Sequence, residues 1–221
     1  MQEKGFSHSL LVSRRTVVVG GVLALAALPA RTGHATAVIG TADEVRGTVS
    51  RKKSDGLAAL LAGADIMDRD FIVTGQESFA ALTLGRDTRL LLGGGTELLV
   101  DSFIAGQGGT IELGTGKMIF DRPEGLPKID LALRTAFGMI GVRGTKFFVG
   151  PNRGVFAVFV ERGLVDFSGG GVTRRVGQGE GIDVVPPDAA SGRSLSDVVP
   201  GEVKRWGAAR VREAYASVGV L

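Results

Sequence analysis

The stretch KFFVGPNRGVFAVFVERGLVDF, residues 146–167, decides the fold class. Two apolar runs, Lys146 to Gly150 and Val155 to Val160, flank Pro151-Asn152-Arg153-Gly154. Proline, asparagine and glycine each favour turn geometry, so the segment reads as a β-hairpin. Glu161-Arg162-Gly163 then turns the chain into a third run, Leu164 to Phe167. Each run is too short for a helix and is bounded by turn residues at both ends.

The same grammar extends in both directions. Upstream, Val45 to Val49, Phe71 to Val73, Phe79 to Leu84, Arg89 to Leu92, Glu97 to Val100, Thr110 to Leu113 and Lys117 to Phe120 read as strands. Ile129, Leu131 and Leu133 alternate with Asp130, Ala132 and Arg134, which places an apolar row on one face and a polar row on the other. Downstream, a turn at Ser168 to Gly171 leads to Val172 to Val176, and Gly177 to Gly181 leads to Ile182 to Val185. Tight turns accommodate the 35 glycines. Leu57 to Leu61, rich in alanine and leucine, is the one place in this region where helix is expected.

Pro186 and Pro187 end the β pattern, and Asp188 to Asp197 reads as a polar linker. Val203, Trp206, Val211, Ala214 and Val218 then recur close to one helical face, which predicts a terminal helix whose apolar side packs back on the sheet or docks a partner. The expected architecture is all-β: one roll or sandwich of short antiparallel strands over residues 38–187, then a linker and C-terminal helix over 188–221.

Residues 1–37 read as a separate, cleavable segment. Ser13, Arg14 and Arg15 precede the uncharged run Thr16 to Pro29 and the small residues Gly33 to Ala37, the features of a twin-arginine export leader. The run is short of the ~20 apolar residues that span a bilayer. Cleavage after Ala35 or Ala37 fits the small-residue stretch, and the expected destination is the periplasm.

Removing residues 1–37 from the 221 leaves 184 and changes the chemistry. The leader takes four of the 26 basic and one of the 23 acidic residues, which leaves 22 of each. The basic balance of the whole chain thus belongs to the leader and gives no support for a nucleic-acid partner. Both histidines, His8 and His34, go with it, and there is no cysteine. Disulfides, thiolate nucleophiles, Cys/His zinc sites and serine–histidine–aspartate catalysis are therefore excluded from the mature chain.

What remains for chemistry is carboxylates. Glu97, Asp101, Glu112 and Asp130 lie near predicted strand ends and would serve a carbohydrate-active enzyme only if two of them met in one cleft. Asp65, Asp68 and Asp70 cluster in a short loop, which reads as a solvated turn or as hard oxygen ligands for calcium, at a spacing unlike an EF-hand. No metal and no cofactor is expected.

Thr135-Ala136-Phe137-Gly138-Met139-Ile140-Gly141-Val142-Arg143-Gly144-Thr145-Lys146-Phe147 is the most specific internal stretch. Gly141 and Gly144 allow positive φ or close backbone approach. Arg143 offers a fixed fork of donors, either an internal clamp on carbonyls and carboxylates or a grip on an anionic ligand group. Thr145 can cap the turn with its hydroxyl. The stretch resembles the signature of FecR-like domains. So do Val45-Arg46-Gly47-Thr48-Val49, Phe71 to Gly75 followed by Ser78, Gly85-Arg86-Asp87-Thr88-Arg89-Leu90, Glu97 to Val100, and Gly177 to Gly181. The resemblance runs over roughly Gly40 to Val185.

The resemblance implies a periplasmic domain that works by contact with another protein; in the best-known branch such domains relay an outer-membrane receptor signal to a sigma factor. Those regulators carry a sizeable cytoplasmic segment, a spanning helix and a further C-terminal domain. Here about a dozen residues precede the paired arginines, so the expectation is a free exported FecR-like binding domain, not an enzyme, with an envelope or periplasmic protein as partner. The alternatives are a non-catalytic glycan- or peptidoglycan-binding module and, behind it, the carboxylate enzyme. Candidate binding residues are Arg143 and Thr145, candidate structural residues of the motif are Gly141, Gly144 and Phe147, and the export signal is Arg14 and Arg15.

Overall fold

A computed structural model of the chain describes residues 37–53, 56–142 and 144–220. The leader arginines and Arg143 lie outside the described residues. Among the described residues, eighteen strands run in chain order: β1 Val38–Arg46, β2 Val49–Lys53, β3 Gly56–Ala59, β4 Asp65–Met67, β5 Phe71–Thr74, β6 Phe79–Leu84, β7 Thr88–Leu92, β8 Glu97–Ile104 and β9 Gly108–Thr115. They continue as β10 Met118–Asp121, β11 Asp130–Thr135, β12 Gly138–Val142, β13 Lys146–Asn152, β14 Val155–Arg162, β15 Leu164–Gly169, β16 Val172–Gly177, β17 Glu180–Val184 and β18 Lys204–Arg205, followed by the helix α1 Ala208–Val218.

The strands form two nine-stranded sheets. Sheet A has the order β18-β17-β14-β13-β10-β7-β6-β1-β4, and sheet B the order β16-β15-β12-β11-β9-β8-β5-β2-β3. The chain shuttles between them, laying a single strand or a hairpin in one sheet and then crossing to the other. One apolar core fills the space between the sheets, with Leu82, Leu90, Phe120 and Phe147 from sheet A meeting Ile72, Leu98, Leu131, Ile140 and Phe167 from sheet B. Each side chain fully buried there contributes about 1.5–3 kcal/mol relative to exposure. The all-β expectation holds, with one difference: β9 and β11 are parallel, because the intervening β10 lies in the opposite sheet.

Two local expectations are corrected. Leu57 to Leu61 is not helical; it contributes β3, which pairs with β2 at the sheet edge, tertiary pairing overriding alanine's helix preference. Val45 to Val49 is not one strand: the chain leaves sheet A at Arg46, turns at Gly47 with φ +74°, and enters sheet B at Val49.

The crossings at one end of the sandwich are tied together by hydroxyl groups. Thr74 Oγ1 donates to Gly93 O (2.7 Å) and accepts from Thr96 N (2.9 Å). Thr96 Oγ1 donates to Gly93 O (2.7 Å) and accepts from Lys117 N (3.1 Å). Ser78 Oγ accepts from Thr48 N (2.9 Å), so the two motif segments around Gly47 and Gly75 bind each other directly. Buried backbone groups that leave a sheet need such partners.

The terminal helix packs back on its own sheet. Leu91, Ile119, Phe148 and Phe159 form one cross-strand row on the outer face of sheet A, and Ala214 and Val218 of α1 are buried against it. Val203 and Trp206 precede α1 and so do not share its face; Trp206 instead stacks on Phe159 at 5.0 Å. The expected linker 188–197 carries two 3-10 turns, Ala189–Ser191 and Leu195–Asp197, and Ser196 O accepts from Gly170 N (3.0 Å). Among the described residues no helix is long and apolar enough to cross a membrane.

Candidate functional site

The motif strand β12 lies inside sheet B, between β11 and β15. Alternation sends Ile140 and Val142 into the core and turns Met139 and Gly141 to the outer face. Gly141 is opposite Ala132 on one side and Asp166 on the other. Gly141 lines a hollow of about 560 Å³, bordered by Lys128, Asp130, Met139, Asp166 and Ser168. Met139 stands 46% exposed at its rim.

The face around this hollow mixes apolar and charged groups. A register row crosses it: Phe71, Leu99, Glu112, Arg134, Met139, Ser168 and Thr173. Arg134 Nη1 pairs with Glu112 Oε1 at 3.2 Å, and Arg175 Nε with Asp166 Oδ1 at 2.9 Å. These are cross-strand pairs at the surface, which fix orientation and complementarity more than stability. By contrast, an apolar row on the equivalent face of sheet A is covered by α1.

Of the predicted motif residues, Phe147 is buried and stacks on Phe120 with ring centroids 5.3 Å apart. Gly144 has φ +67° at the crossing from β12 to β13, a conformation that favours glycine. Gly141 lies in regular strand, and an added Cβ would meet only Asp166 O, at 3.8 Å. Thr145 is completely buried, and its Oγ1 has no hydrogen-bond partner among the described residues.

Glu97 and Asp130 do not converge. Glu112 is tied to Arg134; Asp130 aligns with Gly108 and Glu97 with Thr115, which places those two seven residues apart along β9, roughly 23 Å at strand rise. Asp70 is buried, accepts from Met67 N (2.8 Å) and pairs with Arg51 Nη1 (3.2 Å), tying β2 to the turn before β5.

Sequence reasoning missed two arginines. Arg122 is only 4% exposed; continuing the inward alternation of Met118 and Phe120 by two more residues marks its position. Arg210 of α1 stacks over Trp206 at 3.8 Å and grips both carboxylate oxygens of Asp183 (2.6 and 3.1 Å), forming one wall of a concavity of about 310 Å³ beside Lys204 and Arg205. Neither arginine stands in a recognisable sequence motif.

No curated protein matches the chain. Among solved structures, two crystal structures of a candidate anti-sigma factor from Parabacteroides distasonis ATCC 8503, at 2.50 and 1.65 Å resolution, resemble it with 21% identity and a TM-score of 0.48. The alignment covers 64% of this chain and 62% of that one, so it spans less than two thirds of the other protein. Residues 70–166, from the turn before β5 to the middle of β15, match the family model described as FecR protein.

Proposed function

We propose that this chain is exported by the twin-arginine route and acts in the periplasm as a non-catalytic FecR-like binding domain, relaying a signal by contact with an envelope or periplasmic protein. The observation that carries this reading is the FecR match over residues 70–166, the segment that builds both sheets' centres and the hollow at β12. The contact surface in this proposal is the outer face of sheet B. Its counterpart on sheet A is already occupied by α1, while sheet B presents Met139, Leu99 and paired charges without a covering element of its own among the described residues. A mixed apolar and charged face suits a transient protein contact better than a glycan, for which aromatic platforms would be expected.

Photocrosslinking tests the surface. With a benzophenone amino acid at position 139, cells exporting the chain are predicted to yield one adduct with an envelope or periplasmic protein. The same label at Glu213 on α1 is expected to yield none. Equal recovery from both positions, or no adduct from 139, overturns the assignment of the face.

A further inference from the structure

At the end of the sandwich opposite the Thr74 and Thr96 crossings, the register sets three polar side chains abreast on the inner face of sheet A. Leu90, Phe120 and Phe147 share one cross-strand row. Two residues further along, the next inward row is Thr88, Arg122 and Thr145, with Arg122 N donating to Thr145 O at 3.0 Å. Thr88 and Thr145 are completely buried and Arg122 is 4% exposed.

Among the described residues, the guanidinium in the middle of this row has no negative partner. Arg122 Nη1 donates to Thr88 Oγ1 and Nη2 to Pro127 O, each at 3.2 Å, and both acceptors are neutral. Arg122 Nε has no acceptor among the described residues, and neither Thr145 Oγ1 nor Arg122 Nε is reached by solvent. The nearby carboxylates are turned the other way: Asp121 and Glu124 pair with Arg162 at 2.9 and 3.4 Å, and Arg162 Nη2 spends a further bond on Arg122 O (2.8 Å). The inner row therefore holds a full positive charge and two unused donors, the guanidinium Nε–H and the threonine hydroxyl, in a water-poor setting. A buried ion without a counter-charge is among the most costly arrangements in a protein interior.

We infer that Arg122 and Thr145 bind a single small inorganic anion of halide size. The anion accepts from Arg122 Nε and from the Thr145 hydroxyl, and its charge balances the guanidinium. A metal cation would be repelled by the same group, and a carboxylate ligand would need a solvent-open approach to residues that are 0 and 4% exposed. Two of the motif segments noted in the sequence, those containing Thr88 and Thr145, thereby gain a common purpose: their hydroxyls flank one buried cation.

The test compares the full chain in sodium chloride, sodium bromide and sodium gluconate at equal ionic strength. A ligand that binds only the folded state raises the melting temperature, here by about 3 °C or more in saturating halide. Arg122→Met and Thr145→Val are each expected to abolish the difference between halide and gluconate; Thr145→Val keeps the core shape and remains informative if Arg122→Met does not fold. Crystals in bromide are expected to show anomalous density against Arg122 Nε and Thr145 Oγ1. Equal melting in halide and gluconate, a halide shift undiminished in Thr145→Val, or bromide found only at adventitious surface positions overturns the inference.

Discussion

At the scale of single residues, stability is concentrated where the chain changes sheets. Thr96 Oγ1 bridges Gly93 O and Lys117 N in a fully buried position. Thr96→Val keeps the shape and strands the Lys117 amide, so it is predicted to cost about 1–3 kcal/mol. Thr115→Val, whose hydroxyl is exposed at 3.4 Å from Gly95 O, is expected to cost less than about 0.5 kcal/mol; urea midpoints of the two variants check the contrast. Gly94 belongs to the same crossing, where a Cβ would stand 1.7 Å from Gln76 O.

Tyr215 supplies the pH dependence at this scale. Its phenol is pushed above the ordinary value near 10, first by burial and then by the Glu161 carboxylate beside it. A raised folded value means that stability is intact below pH ~10 and falls as the pH rises beyond it, because only the unfolded chain can then release the proton. Tyr215 is the one tyrosine in the chain. Absorbance of the phenolate is therefore predicted to appear together with unfolding in an alkaline titration, and Tyr215→Phe should melt with less dependence on pH above 10.

At the scale of elements, α1 is a small-residue helix held by what it covers. Ala214 and Val218 sit on the Leu91–Ile119–Phe148–Phe159 row, and Arg153–Glu213 (2.7 Å) and Arg46 Nη2 to Gly219 O (3.0 Å) pin its flank and its end. Val218→Asp is predicted to unseat the helix at a cost of about 2 kcal/mol or more, since a carboxylate gains no partner in that seat. Trp206, the only tryptophan, lies against Phe159 and reports the event as a red-shifted emission; unchanged fluorescence would mean the seat tolerates the charge. The sequence carried a sign of this cover: Phe147-Phe148-Val149 and Phe156 to Val160 are apolar at consecutive positions, the pattern of strands buried on both faces. The failure at Leu57 to Leu61 has the opposite cause, since its local preference was outweighed by pairing with β2.

At the scale of the whole molecule, the proposed export route carries its own prediction. Replacing Arg14 and Arg15 by lysine should leave full-length precursor in the cytoplasm, read by fractionation and immunoblotting; normal export of that variant would remove the twin-arginine reading.

Alternation, turn residues and the ordered motifs were enough to determine, from the sequence alone, an all-β domain with FecR-like segments and a terminal helix, because period-two patterning and turn chemistry are local properties of the chain. Tertiary structure alone decided which strand lies in which sheet, the parallel meeting of β9 with β11, and which of the two sheets α1 covers. It also brought Thr88, Arg122 and Thr145 together across 57 residues of chain. Their proximity is a matter of register between strands distant in sequence, and register is fixed only when the two sheets close over one core.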